Sequence, residues 1–104
     1  GVAGGLDLRP VPAEFGLAQN FPNPFNPETT ISYDMADQSE VRLQIYNVVG
    51  QLVNTLVSEY QPAGRYRVLW RGLDARGHSV ASGIYFYRLH TQGFSAVRKL
   101  MLLK

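Results

Sequence analysis

The feature that most constrains this fold is a two-residue alternation of side chains that recurs along the chain. Thr29 to Asp34, Val41 to Tyr46 and Arg65 to Arg71 each place apolar side chains mainly at one parity and polar ones at the other, and Leu69 is an exception in the third run. Such alternation is typical of strands that bury one face. No stretch combines a helical period with capping residues, so the sequence predicts an all-β protein.

Glycine and proline clusters separate these runs, and further strands are predicted between the clusters, at Gln51–Glu59, Ile84–Thr91 and Phe94–Lys104. The start of Ile84–Thr91 is apolar at both parities, which is typical of a strand covered on both faces. About six to seven short strands broken by turns predict an antiparallel β-sandwich of the immunoglobulin-like type. The predicted turns lie at Asn47–Gly50, Pro62–Gly64, Gly72–Gly83 and Gln92–Gly93.

The length and composition fit one domain preceded by a connecting segment. A chain of 104 residues without cysteine is long enough to bury a core that needs no disulfide. Residues 1–18 mix glycine, proline and small apolar residues without a period, so we expect a linker from an upstream domain, followed by the sandwich at residues 19–104. The sequence shows neither a signal peptide nor an apolar run long enough for a transmembrane segment.

Charge is distributed unevenly between the two parts of the chain. Residues 1–59 carry two arginines against seven carboxylates, whereas residues 60–104 carry eight cationic side chains against one carboxylate. Cross-strand pairing in a sandwich would cancel much of this difference. The alternative is a basic stripe for an anionic partner such as lipopolysaccharide or an acidic receptor. Nucleic acid is not favoured as a partner, because lysine is scarce and no recognition motif accompanies the arginines.

No set of residues with the spacing of a catalytic or metal site occurs in the sequence. His78 and His90 have no cysteine or carboxylate at ligand spacing. Asp34, Asp37 and Glu40 could offer oxygens to calcium, but without a glycine-containing ligand loop a polar turn is the favoured interpretation. Nucleophile-elbow and phosphate-loop motifs are also absent from the sequence. We therefore predict a non-enzyme with no cofactor and no metal.

The aromatic residues allow two interpretations. Those of the second half of the chain could form a carbohydrate-stacking platform, but buried aromatics on central strands are the usual core of such sandwiches and are favoured. A tyrosine near Gly83 could form a tyrosine corner. Tyr46 and Tyr60, expected on outward parity or in a loop, are better candidates for contact with a ligand. The residues favoured for the core are Trp70, Tyr85, Phe86, Tyr87 and Phe94.

A stiff, proline-rich segment precedes the first alternating run. Each of its three prolines fixes its own φ and favours an extended predecessor, and the asparagines before them favour turns. The segment therefore cannot form a helix. We call it the entry motif, and it comprises Asn20, Pro22, Asn23, Pro24, Phe25, Asn26 and Pro27.

Together with three other segments, the entry motif resembles the type A C-terminal sorting domains of the type IX secretion system. The second segment comprises Val41, Leu43 and Ile45, the turn Tyr46-Asn47-x-x-Gly50, and Val53. The third comprises Gly64, Trp70, Asp74, Gly77, Ala81–Gly83 and Tyr85–Tyr87. The last is the strand that closes on Lys99–Lys104. The resemblance covers residues 19–104, and across its middle the chain is also similar to the immunoglobulin-like domain of flagellar hook-capping proteins.

This resemblance implies a folded address that is read by an outer-membrane translocon and removed by a sortase-like peptidase, after which the cargo is joined to anionic lipopolysaccharide. The protein would pass through the periplasm to the cell surface or the medium. An exposed edge strand suits such a role, since a receptor can extend it with a further strand. The alternative is a structural or adhesive immunoglobulin-like module, hook-capping-like or carbohydrate-binding. The implied recognition residues are Lys99, Leu100, Met101, Leu102, Leu103 and Lys104.

Overall fold

Seven strands in two antiparallel sheets form the protein in a computed structural model that describes residues 10–104. The three-stranded sheet has the order β1-β2-β5, and the four-stranded sheet has the order β4-β3-β6-β7. The predicted immunoglobulin-like β-sandwich is therefore confirmed. The strands are β1 Gly16–Leu17, β2 Thr29–Met35, β3 Ser39–Tyr46, β4 Leu52–Gln61, β5 Gly64–Trp70, β6 Gly83–Thr91 and β7 Ser95–Leu102.

The alternation in the sequence determines which side chains form the core. In β2 the residues at the parity of Ile31 and Tyr33 are buried, and in β3 those at the parity of Leu43 and Ile45 are buried. The β2–β5 ladder runs without a register shift from Thr29 to Met35. The alternation of buried and half-buried side chains therefore holds along the whole of β2. The inner faces of the two sheets pack together as expected for a sandwich.

Trp70 lies at the centre of the aromatic core. Its ring centroid is 5.6 Å from that of Phe25 and 5.7 Å from that of Tyr85, and all three side chains are buried. Tyr87 is also buried, whereas Phe86 lies on the opposite side of β6 and is half-buried. The aromatic residues of β6 therefore divide by strand parity into buried and outward ones. The prediction that the start of β6 is covered on both faces is wrong, because its outward side chains are shielded by the neighbouring strands alone and remain half-buried.

The sandwich begins before the entry motif. Gly16 and Leu17 pair with Asp34 and Tyr33 of β2, and the Leu17 side chain is buried. These two residues fall within the segment predicted as a linker, and a two-residue strand is too short to show a period in the sequence. Residues 1–9, the first part of that predicted linker, lie outside the described residues.

The predicted turns are closed by side-chain hydrogen bonds. Asn47 Oδ1 accepts from the backbone N–H groups of Val49 at 3.1 Å and Gln51 at 2.9 Å. In the next turn, the Asp74 carboxylate accepts the N–H of His78, which is the main cause of its lowered pKa, and also the N–H of Arg76. Both turns use the ordinary Asx geometry in which a short polar side chain caps its own backbone.

Candidate recognition surface

The entry motif lies against the outer edge of β7. The Phe25 N–H donates to the Met101 carbonyl at 2.9 Å, and the Leu103 N–H donates to the Phe25 carbonyl at 3.0 Å. Phe25 and Leu102 form a parallel bridge at this point. Since β7 is the last strand of the four-stranded sheet, the entry motif occupies backbone groups that an edge strand would otherwise leave open.

Two side chains extend this pairing along β7. Asn23 Oδ1 accepts from the Met101 N–H at 3.0 Å, and Gln19 Nε2 donates to the Lys99 carbonyl at 2.7 Å. We call the contacts of Gln19, Asn23 and Phe25 with residues 99–103 the β7 latch. Addition of another strand at this part of the edge would require the latch to open.

Side chains of β7 alternate between the core and the outer side, so the six predicted recognition residues fall into a buried and an accessible group. Leu100 and Leu102 point into the core and are 0% and 1% exposed. Met101 is half-buried on the outer side, while Lys99, Leu103 and Lys104 are exposed. In the folded domain, the side chains at this end that a partner can contact directly are therefore those of Lys99, Met101, Leu103 and Lys104.

Asn20 ties the entry motif to both sheets. Its backbone N–H donates to Tyr87 Oη at 2.8 Å, and Tyr87 Oη donates to the Ala18 carbonyl at 2.7 Å. The buried Asn20 amide donates to Thr29 Oγ1 at 3.0 Å and to the Pro22 carbonyl at 3.2 Å. Its role is to hold the chain, since these bonds are made within the domain.

The remaining residues of the entry motif separate into one core residue and an exposed surface. Phe25 is buried against Trp70, whereas Asn23 and Asn26 are exposed. Phe21, which the sequence analysis did not select, has a side chain that is 79% exposed. No periodic signal marks it, because the prolines around it interrupt the alternation. The three prolines Pro22, Pro24 and Pro27 are exposed as well.

Comparison with known proteins identifies the family. Residues 23–93 match the family described as the FlgD Ig-like domain. The chain belongs to this family. The match extends from within the entry motif to the turn before β7. Comparison with curated protein sequences gives no match.

Two solved structures from Porphyromonas gingivalis resemble this FlgD Ig-like domain. Dimeric latent PorU superposes with a TM-score of 0.67 at 20% identity, covering 84% of this chain and 9% of that protein. PorZ, described as an essential bacterial surface component of the type-IX secretion system, superposes with a TM-score of 0.59 at 20% identity, covering 86% of this chain and 12% of that protein. The chain thus spans a small part of each, and the likeness is one of fold.

The three carboxylates considered for calcium binding lie in different elements of the FlgD Ig-like domain. Asp34 lies opposite Arg65 in the three-stranded sheet, Asp37 caps the N–H of Gln38 in a turn, and Glu40 lies in the four-stranded sheet. Within residues 10–104 no three histidine, aspartate or glutamate side chains lie close enough to hold a metal ion. The same described part contains no helix suited to crossing a membrane.

Buried tyrosines of the FlgD Ig-like domain act as hydrogen-bond donors. Burial raises the pKa of Tyr85 and of Tyr87, which keeps both phenols protonated. Tyr85 Oη donates to the Ala81 carbonyl at 2.6 Å, the contact expected of a tyrosine corner beside Gly83. These groups therefore join loops to strands.

Two of the shallow depressions on the described surface have defined linings. One, of 410 Å³, lies between Leu52, Asp74 and Tyr85, and the other, of 320 Å³, is lined by Glu40, Arg42, His90, Thr91 and Gln92. His90 accepts a hydrogen bond at Nδ1 from Arg88 at 3.2 Å, since a guanidinium can only donate. His78 is exposed in its turn.

Proposed function

We propose that this domain is a C-terminal sorting domain that directs an upstream cargo through the type IX outer-membrane translocon and to the cell surface. The observation that carries the proposal is the β7 latch, in which the entry motif and the segment 99–103 form one joined surface. These are two of the segments on which the sequence resembles sorting domains. The shared fold with PorZ, a surface component of that system, supports the same assignment.

In this proposal the translocon contacts exposed side chains rather than the open edge of a strand. Lys99, Leu103 and Lys104 are exposed at the end of β7, and Phe21 is exposed on the entry motif. A sortase-like peptidase then removes the domain, and the cargo is joined to anionic lipopolysaccharide. The domain itself acts as a non-enzyme without a cofactor and reaches the periplasm only in transit.

A structural or adhesive immunoglobulin-like module is the second candidate function. The observation that favours it is the extent of the family match, which ends at residue 93 and so does not depend on β7. A module of this kind would use the sandwich as a spacer or attachment unit of a multidomain surface protein. It would be retained with its cargo rather than removed.

The test is to fuse residues 1–104 to the end of an inert, periplasm-directed reporter in a bacterium with a type IX system. The test variant combines Lys99→Ala, Leu103→Ser and Lys104→Ala, all at exposed positions. The reporter fused to the unchanged domain is expected at the surface or in the medium, with its mass reduced by loss of the domain. The variant is expected to remain in the periplasm at full mass.

A matched control changes the same kinds of side chain elsewhere on the surface. Arg67→Ala, Leu69→Ser and Arg76→Ala also remove two cations and one exposed leucine. This control is expected to be exported and shortened like the parent. Full-length parent reporter trapped in the periplasm would instead support the structural module, and export of both variants would exclude the end of β7 as the recognised surface.

A further inference from the structure

The outward side of the four-stranded sheet carries many side chains that the proposed function does not use, and only Lys99 and Met101 at its β7 end also belong to the candidate recognition surface. Strand parity and register place its members opposite the core, and all of them are half-buried or exposed. We call this surface the outer face. Its members are Leu52, Thr55, Ser58 and Tyr60 of β4, Glu40, Arg42, Gln44 and Tyr46 of β3, Ile84, Phe86, Arg88 and His90 of β6, and Ser95, Val97, Lys99 and Met101 of β7.

Positive charge dominates the outer face. Its cations are Arg42, Arg88 and Lys99, and Glu40 is the carboxylate among its members. In the register, Arg42 lies directly opposite His90 on the central strands. Ion pairing does not neutralise these cations within residues 10–104, where the structure pairs Arg71 with Glu28 on a different surface. An anionic ligand would therefore be attracted to this face.

Hydrogen bonds hold the polar groups of the outer face in place. Arg88 Nε donates to Ser95 Oγ at 3.2 Å, and its Nη2 donates to His90 Nδ1 at 3.2 Å. A neutral imidazole that accepts at Nδ1 carries its proton on Nε2, so His90 offers a donor to a ligand. The bond from Arg88 thus orients the His90 ring before any ligand binds, which lowers the entropy cost of binding to His90.

Aromatic side chains stand at both ends of the outer face. Tyr46 lies opposite Phe86, and its hydroxyl donates to Gln44 Oε1 at 3.0 Å. At the other end, Tyr60 lies opposite Glu40 and is 60% exposed. Glu40 and Tyr46 are six positions apart in β3, which corresponds to about 20 Å along a strand. The depression of 320 Å³ beside Arg42 and His90 lies at the Tyr60 end.

We propose that the outer face binds an acidic polysaccharide. A sugar carboxylate would lie on Arg42 and the Nε2–H of His90, since charge-assisted hydrogen bonds of a guanidinium to a carboxylate are strong. The apolar faces of two separate sugar rings would pack on Tyr60 at one end of the face and on Tyr46 at the other, and Glu40 would accept from sugar hydroxyls.

An acidic polypeptide fits this surface less well. A carboxylate at the rim of the basic depression would repel an anion that binds by charge alone, whereas it is a useful acceptor for a hydroxyl-rich ligand. A flat face with aromatic groups at both ends also suits a chain of repeated rings. The inference does not depend on the sorting function, because its contacts lie on β3, β4 and β6 and not in the β7 latch.

The test is calorimetric titration of the full chain with oligogalacturonate as the acidic sugar probe. Arg42→Gln is expected to weaken binding about tenfold, the loss that follows from one hydrogen bond to a charged group. Tyr60→Ala is expected to weaken it to a similar extent. Arg67→Gln, an exposed change on the other sheet, is the charge-matched control and is expected to leave affinity unchanged.

Several results would overturn the proposal. Absence of saturable binding would do so directly. Equal losses for Arg42→Gln and Arg67→Gln would reveal a general charge effect without a site. Polyglutamate bound as tightly as the sugar probe would assign the face to acidic polypeptides, and neutral dextran bound as tightly would remove the requirement for a carboxylate. Unchanged circular dichroism of each variant verifies that the fold is retained.

Discussion

Tyr33 shows how a single polar group is kept in the interior of this domain. Its side chain is buried, its hydroxyl donates to Gln61 Oε1 at 2.6 Å, and its ring stacks on Tyr66 with centroids 5.2 Å apart. Gln61 in turn donates to Glu59 at 3.1 Å. Burial is the main reason that the pKa of Tyr33 is raised from 10.0 to about 12.

The raised pKa of Tyr33 predicts a loss of stability at alkaline pH. Well below pH 10 the phenol is neutral in both states, and as pH rises through 10 toward 12 the unfolded chain ionises before the folded one, so the free energy of unfolding falls. Tyr33→Phe is expected to make this fall shallower, although Tyr87 still contributes to it. At neutral pH the change is expected to cost about 1–3 kcal/mol, because the Gln61 carbonyl loses its partner.

The measurement for Tyr33 is urea unfolding across a series of pH values. Tyr60→Phe, at an exposed position, is the control and is expected to leave the pH curve unchanged. An equally steep alkaline fall for Tyr33→Phe and the parent would contradict the prediction.

Substitution of Gly72 and of Gly50 separates two costs in unfolding free energy, that of steric crowding and that of a left-handed backbone conformation. Both have positive φ, at 68° and 84°. A Cβ at Gly72 would lie 3.3 Å from Leu102 Cδ2, while at Gly50 it would meet nothing within 4 Å. Each substitution to alanine is expected to cost about 1–2 kcal/mol for the left-handed conformation. Gly72→Ala is expected to cost more, because Leu102 must shift.

Thermal unfolding of the two alanine variants measures this difference. A smaller loss at Gly72 than at Gly50 would mean that the core around Leu102 accommodates the extra methyl group without cost.

At the scale of elements, the β7 latch protects the last strand from water. The side-chain Oδ1 of Asn23 accepts from the Met101 N–H, whereas Leu100 lies opposite Tyr85 in the ladder with β6. Asn23→Ala is therefore expected to accelerate amide exchange at Met101 by about tenfold, with little change at Leu100.

Hydrogen exchange followed by nuclear magnetic resonance measures this effect residue by residue. Asn26→Ala, an exposed change in the same motif, is the control. Exchange at Met101 that is unaffected by Asn23→Ala would show that the side chain does not protect this edge.

The strands could be predicted from the sequence wherever burial follows parity, as Ile31 and Leu43 illustrate. β1 could not, because two residues carry no period. The bond between Asn20 and Tyr87 joins positions 67 residues apart, and only the folded topology brings them together. Leu100 was expected at a recognition surface for the same reason. The sequence alone does not show whether an apolar side chain in an edge strand faces a partner or the core.

At the scale of the whole molecule, the end of β7 completes the core. Leu100 and Leu102 are both fully buried, and loss of one buried leucine typically costs about 2–5 kcal/mol. The total free energy of unfolding of a domain of this size is about 5–15 kcal/mol. Deletion of Leu100–Lys104 is therefore expected to abolish cooperative unfolding.

Deletion of residues 103–104 is the matched comparison for that truncation. It removes exposed side chains and two hydrogen bonds, from the Leu103 N–H to the Phe25 carbonyl and from the Lys104 N–H to Ser82 Oγ, so a loss of about 1–2 kcal/mol is expected. Circular dichroism during heating distinguishes the two. A normal melting transition after the longer deletion would show that the sandwich closes without the end of β7.

The β7 latch also has a consequence for the order of events after synthesis. Gln19 and Asn23 bind residues that follow them by 80 and 78 positions, so the latch cannot form until residue 103 has left the ribosome. In a chain interrupted earlier, the entry motif has no strand to bind and the core stays exposed to water, so the chain is a substrate for proteases. Closure of the sandwich therefore reports that translation has passed residue 103, because a shorter chain lacks the residues that complete the latch.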